Sequence, residues 1–110
     1  MIHDRHRADI AQRILLDREA RCEFFPSDIF DEYAWNMLLY LFIAAVSQKS
    51  MPESELIKLV HTNTNIGQRW LYLLAKDHQV ESRVAGDDVV LTTDARSKLS
   101  DYLDTVKMHN

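Results

Sequence analysis

The sequence predicts a single, mainly α-helical domain with one small β-hairpin in its C-terminal third. The 110 residues include only two Gly and two Pro, so breaks between regular elements are few. Apolar residues recur at helical spacing along most of the chain. After His78 the pattern changes to β-forming residues on either side of a glycine, which is typical of a hairpin. Because a chain of this length supports one hydrophobic core, we expect one domain over residues 1–110.

The first two helical segments differ in how their apolar residues are distributed. Segment 8–21 is amphipathic, with aliphatic side chains on one face and charged side chains on the other. Segment 31–47 starts at Asp31, a residue type that favours the N-cap position. Residues 33–46 of this segment are apolar on every side except at Asn36, so we expect the helix to be buried over most of its surface.

Segment 53–77 has the pattern of a helix-turn-helix unit. A short helix over 53–60 opens after Pro52 with carboxylates, which suit a first helical turn. The polar turn 61–64, rich in N-cap residue types, leads into a second helix over 65–77. Two helices joined by so short a turn form the unit, although its usual turn glycine is absent here.

The last part of the chain is predicted to form the hairpin and a final helix. Segment 80–92 is the hairpin, with Gly86 in its turn. Thr92 or Thr93 then caps a helix over 93–107. The whole order corresponds to a winged helix-turn-helix domain, in which the hairpin is the wing and the N- and C-terminal helices serve dimerisation.

Composition and charge narrow the range of functions that the protein can have. The formal net charge is −4, which disfavours a protein that binds nucleic acid indiscriminately, because such affinity comes from Lys and Arg. A specific binder whose few basic residues share one face stays open. The single Cys22 excludes an internal disulfide and fits a reducing, cytoplasmic compartment. The most apolar stretch, 33–46, is shorter than the roughly 20 residues that span a bilayer, so no membrane partner is expected.

Three stretches resemble short bacterial members of the MarR family of winged helix proteins. They are 30–42 (FDEYAWNMLLYLF), 65–80, which includes Arg69 and Trp70, and 91–99 (LTTDARSKL). The resemblance implies that the helix over 65–77 is a recognition helix that enters the major groove. It also implies that the wing reaches the flanking DNA and that the terminal helices pair two subunits. His78 stands where the family usually has glycine, so we expect His78 in a left-handed conformation.

The candidate DNA-contacting residues lie in and around the predicted recognition helix. Asn and Gln can read adenine and Arg can read guanine with paired hydrogen bonds, while polar groups at a helix N-terminus suit phosphate. The candidates are Thr62, Asn63, Thr64, Asn65, Gln68, Arg69, Tyr72 and, in the wing, Arg83. For Arg83 an ion pair with Glu81 or Asp88 across the hairpin is an equally good alternative.

The function that we expect is transcriptional regulation by a homodimer bound to double-stranded DNA. The dimer is inferred from a helix that is apolar on every side and from two terminal helices that one small core cannot fully cover. Its interface is predicted at Ile10, Ile14, Leu15, Leu99, Leu103 and Val106. The alternative is a winged helix protein-interaction module that has lost DNA binding, which the acidic Asp87 and Asp88 of the wing tip favour.

Enzymatic activity is not expected. The sequence has no Ser-His-Asp arrangement, no glycine-rich phosphate loop and no zinc-ligand spacing, and it suggests no cofactor. His3 and His6 are spaced for a shared helix face, but a metal site needs further fixed ligands, so no metal site is predicted.

Overall fold

Helix α2 forms the centre of the fold. The computed structural model describes residues 2–22, 24 and 32–106. Its helices are α1 (Ile2–Cys22), α2 (Tyr33–Val46), α3 (Glu53–Leu59), α4 (Thr64–Lys76) and α5 (Thr93–Thr105). α2 packs against each of the other four, and its Met37, Leu39 and Phe42 side chains are completely buried. The apolar character of α2 on every side is therefore explained by packing within one chain, and the predicted burial of this helix is confirmed.

α1 begins earlier than predicted, and ion pairs with α5 hold its added N-terminal part. This helix begins before the predicted segment 8–21 and includes the charged stretch that precedes it. Arg7 donates two hydrogen bonds to the Asp104 carboxylate, each 2.8 Å long. Asp4 accepts a hydrogen bond of 3.1 Å from Arg96. Charged groups on α5 thus hold a segment of α1 that has no apolar pattern of its own.

The observed N-cap residue agrees with the prediction for α5 and differs from it for α2. Of the two predicted alternatives, Thr92 is the N-cap of α5, where its hydroxyl accepts a 3.1 Å hydrogen bond from the Ala95 N–H. Asp31, the predicted N-cap of α2, lies outside the described residues. Glu32 stands at the N-cap position of α2, and its side chain makes no capping hydrogen bond.

Three helices end on a non-glycine residue with a positive φ angle. These residues are Gln48 (φ 56°), His61 (φ 59°) and His78 (φ 62°). After each one, the next N–H bonds back to a carbonyl in the last helical turn, which is the usual chemistry of a left-handed C-terminal cap. The predicted conformation of His78 is confirmed, and His61 takes the place of the turn glycine that the sequence lacks.

The predicted β-hairpin is wrong, and with it the winged helix-turn-helix class. Within residues 2–22, 24 and 32–106 the fold is all-helical, with five helices and no strand or sheet. A single isolated antiparallel bridge joins Val80 to Leu91 where the hairpin was expected. The residues between them form a loop, which we call the 81–90 loop.

The ends of the 81–90 loop pair through the Glu81 N–H, which donates to the Val90 carbonyl at 2.8 Å, but further backbone groups of the loop bond to α3 and the segment before it instead of extending a ladder. The Val89 N–H donates to the Met51 carbonyl at 2.8 Å, and the Gly86 N–H donates to the Glu53 carboxylate at 3.1 Å. Val89 is buried, whereas the β-forming Val84 is exposed. An isolated two-stranded hairpin is marginally stable at best, so these bonds to the body of the protein prevail over strand pairing.

Candidate functional site

α4 is an amphipathic helix that α3 and the turn 60–63 present at the surface. The Asn63 side chain caps it by accepting a 2.9 Å hydrogen bond from the Ile66 N–H. On its inner face, Leu71 is buried in the core. Gly67 lies so close to α3 that a Cβ atom there would be 2.5 Å from Cγ1 of Ile57. The glycine thus sets how closely the two helices approach and how α4 is oriented.

The outer face of α4 carries most of the predicted DNA-contacting residues. Thr64, Asn65, Arg69 and Tyr72 are exposed, and Thr62, in the preceding turn, is half-buried. Arg69 makes no hydrogen bond or ion pair with any residue that the structure describes. α4 contains two basic residues, Arg69 and Lys76, and no carboxylate. The outer face of α4 therefore presents the Arg69 guanidinium, which has no partner among the described residues, beside polar and aromatic side chains.

Gln68 and Arg83, the other two predicted contacts, are both bound to Glu53. The Gln68 amide Nε2 donates to Oε2 of Glu53 at 2.9 Å, and Nη2 of Arg83 lies 2.8 Å from Oε1. The Arg83 guanidinium also donates to the backbone carbonyls of Asp87 and Asp88. Neither the predicted DNA contact nor the alternative ion pair with Glu81 or Asp88 anticipates this arrangement.

Glu53 is the polar residue that the sequence analysis missed. Its side chain is 7% exposed and that of Arg83 is 9% exposed, so the ion pair is shielded from water. Burial raises the pKa of Glu53, but hydrogen bonds from Gln68, Gly86 and Arg83 outweigh it and hold the pKa below its usual range. The sequence indicated only a carboxylate at a helix N-terminus, which explains a favourable dipole interaction but not three partners distant in sequence.

The residues predicted for a dimer interface belong to the core of the single chain. Ile10, Leu15, Leu99 and Leu103 are buried, and Ile14 and Val106 are half-buried against the same core. They are therefore not available together as a surface. The same two helices do expose other apolar side chains, Leu16 at 53% and Tyr102 at 43%.

The charged residues that join α1 to α5 form a second polar cluster. The hydrogen bonds from Arg7 hold the pKa of Asp104 below its usual range, and the neighbouring His3 and His6 act in the same direction. Burial raises the pKa of Asp4, but hydrogen bonds from Arg7 and Arg96 outweigh this effect and hold the pKa below its usual range. Among the described residues no three His, Cys, Asp or Glu side chains come together as a metal site. The ion pairs of this cluster hold α1 against α5.

An open groove of about 600 Å³ lies beside the C-terminal half of α4. Ala34 of α2 and Trp70, Leu73 and Leu74 of α4 supply its apolar lining. Leu73 is 43% exposed at its edge, and the adjacent Tyr72 is 66% exposed. The C-terminal half of α4 is thus more apolar at its surface than the N-terminal half.

Over the residues that the structure describes, the fold is an all-helical domain that exposes the polar outer face of α4. Comparisons with protein-family models, with curated proteins and with solved structures find no match to this chain. The resemblance to the MarR family therefore stays a prediction. No helix in the described part of the chain is both long and apolar enough to cross a membrane.

Proposed function

We propose that the chain is a DNA-binding transcriptional regulator that acts as a homodimer and reads duplex DNA with the outer face of α4. The observation that carries the proposal is Arg69, an exposed arginine without a partner among the described residues, on a helix that has no carboxylate. A short helix, a four-residue turn and a second helix resemble the unit that places its second helix in the major groove. A cytoplasmic location, expected from the single Cys22, is part of this proposal.

The proposed contacts divide between base and phosphate. Arg69 lies in the N-terminal half of α4, the part of a recognition helix that faces base edges, and its guanidinium suits the O6 and N7 atoms of guanine. Asn65 is exposed one turn earlier and has the amide that reads adenine. Thr62 and Thr64 lie where phosphate contacts would fix the register. The net charge of −4 keeps non-specific affinity low, so specificity depends on these few side chains.

Arg69→Ala tests the DNA contact, with Lys76→Ala as its matched control. Both variants remove one positive charge from an exposed position of α4, but Lys76 lies in the last turn, away from the proposed base contacts. A bidentate base contact corresponds to about 1–3 kcal/mol, which is roughly a 5- to 150-fold loss of affinity. Fluorescence anisotropy with a labelled duplex selected from the region around the gene should show this loss for Arg69→Ala only. Equal losses in the two variants would indicate general electrostatic attraction, and no binding by the wild type would refute the proposal.

Homodimer formation is the second part of the proposal, and it needs a surface other than the predicted one. Among the large apolar side chains that the structure describes on α1 and α5, Leu16 and Tyr102 are exposed. We expect Leu16→Glu to shift a dimer towards monomer in sedimentation equilibrium, while Asp17→Ala, a change at the neighbouring exposed position, leaves the dimer intact. A wild-type chain that sediments as a monomer at micromolar concentration would refute this part.

A helical protein-interaction module is the second candidate function. It is favoured by the exposed Tyr72 and Leu73 beside the apolar groove, because aromatic anchors next to apolar pockets are typical of protein interfaces. Leu73→Asp separates the two functions. On the DNA-binding proposal it lowers affinity for DNA little more than any added negative charge does, whereas on the interaction proposal it abolishes a protein complex that Arg69→Ala leaves intact.

A further inference from the structure

We propose that Glu53 is an internal anion that occupies a phosphate-binding set of donors, so that the 81–90 loop is held in an autoinhibited position against α3 and α4. This inference rests on the proposed DNA-binding function and adds a control on it. It assigns to one buried carboxylate the task of keeping Arg83 and Gln68 away from nucleic acid.

The first support is the type of donors that meet at Glu53. They are the Arg83 guanidinium at 2.8 Å, the Gly86 backbone N–H at 3.1 Å and the Gln68 side-chain amide at 2.9 Å. Guanidinium, backbone N–H and amide groups are the donors that proteins use to bind phosphate oxygens. In this chain the acceptor that they surround is a carboxylate of the protein itself.

The second support is where these donors come from. Gln68 belongs to α4 and Arg83 and Gly86 belong to the 81–90 loop, so Glu53 links the proposed DNA-reading helix to the loop. Two of the eight residues predicted to contact DNA, Gln68 and Arg83, are withdrawn from the surface by this one side chain. Gln68 lies 15 residues and Gly86 lies 33 residues from Glu53 in the sequence. The tertiary fold therefore brings these donors together.

The third support is the charge that the loop shows to solvent. Glu53 neutralises Arg83, while Asp87 and Asp88 of the same loop stay exposed. The solvent-facing side of the loop is therefore negative next to α4, and it repels a DNA backbone. Release of Arg83 from Glu53 reverses part of this balance, because it returns one positive charge to the surface.

The tip of the loop is not part of the core. Residues 84–88 are exposed, whereas Val80, Val89 and Leu91 at its two ends are buried. Lifting the tip breaks the contacts to Glu53 and leaves those anchors in place. A DNA phosphate offers Arg83 an anionic acceptor in place of the carboxylate that it leaves, while Glu53 keeps its hydrogen bond from Gln68.

Glu53→Ala tests the inference, with Glu55→Ala as its control. Glu55 is an exposed carboxylate on the same helix, so the control removes the same charge without freeing Arg83. In DNA-binding titrations over a range of salt concentrations, Glu53→Ala should tighten binding by about tenfold and steepen the salt dependence by about one unit. The double variant Glu53→Ala/Arg83→Gln should lose that gain. Equal affinities for the two single variants, or a gain that persists in the double variant, would overturn the inference.

Two further measurements keep the outcome decisive. Circular dichroism and thermal melting establish that Glu53→Ala is folded, and the isosteric Glu53→Gln replaces it if it is not. If the wild type does not bind duplex DNA, the proposed function fails, and inorganic phosphate then tests the donors alone. Its addition should shift the Gly86 amide and Arg83 Nε–H resonances in the Glu53 variant and not in the wild type, and unshifted resonances in that variant would overturn the inference.

Discussion

Replacement of Gly67 by alanine is expected to destabilise the protein, against the usual effect of this substitution in a helix. Alanine in a helix interior is favoured over glycine by about 1 kcal/mol. Here the new Cβ would lie 2.5, 2.8 and 2.9 Å from Cγ1, Cδ1 and Cγ2 of Ile57, whereas carbon atoms normally pack about 3.5–4.0 Å apart. Ile57 is only 5% exposed and its branched side chain has one favoured rotamer in a helix, so it cannot turn away. Overpacking of this kind costs about 1–3 kcal/mol, which leaves a net loss of about 1 kcal/mol.

A double-mutant cycle with Ile57 provides the decisive measurement. Ile57→Ala removes all three of the atoms in close contact and by itself costs about 2–5 kcal/mol. In that background Gly67→Ala should become stabilising by about 1 kcal/mol, because only the helix propensity remains. Urea denaturation followed by circular dichroism gives the four free energies of unfolding. If Gly67→Ala stabilises the protein equally in both backgrounds, α3 and α4 are not in close contact at this glycine and the orientation of α4 has another cause.

Four other variants have expected outcomes that follow directly from the structure. Gln48→Gly and His78→Gly should each raise the free energy of unfolding by about 0.5–1 kcal/mol in urea denaturation, because both positions have a positive φ; a loss of stability would contradict this. Asp87→Asn with Asp88→Asn should strengthen DNA binding, mostly at low salt, and unchanged affinity at low salt would mean that the loop stays away from the DNA backbone. The folded pKa of Asp104 is lowered, so its contribution to stability is present above the ordinary carboxyl pKa of about 4 and is lost as pH falls through the lower folded value. Asp104→Asn should therefore flatten the decrease in thermal midpoint between about pH 5 and pH 2, and an unchanged decrease would rule out this source of acid sensitivity.

The helices could be predicted from the sequence because their signals are local. α2 is marked by apolar residues on every side, α4 by the polar turn before it, and α5 by the cap Thr92. Each signal lies within a few residues of the helix that it specifies. The left-handed conformation of His78 was predicted from the glycine that the resembled family has at this position, and it depends only on the end of one helix.

The path of the 81–90 loop and the packing partners of the terminal helices could not be predicted in this way. The loop depends on bonds to Met51 and Glu53, which lie more than thirty residues earlier in the chain and carry no local mark of that role. The valines at 80, 84, 89 and 90 have the composition of a hairpin, but composition does not say which carbonyl will accept each N–H. The apolar faces of α1 and α5 indicate burial without indicating the partner, and in the structure these two helices pack against α2 and against each other.

The position of α2 has a consequence for how the molecule unfolds. Every other helix in the described part of the chain covers part of its apolar surface, so the loss of any one helix exposes α2 to water. Partial unfolding is then nearly as unfavourable as complete unfolding, and the helices are expected to melt in one cooperative step. Amide hydrogens of α2 would exchange with solvent only through global opening, and a shortened chain that lacks α1 or α5 would expose an apolar helix that promotes aggregation.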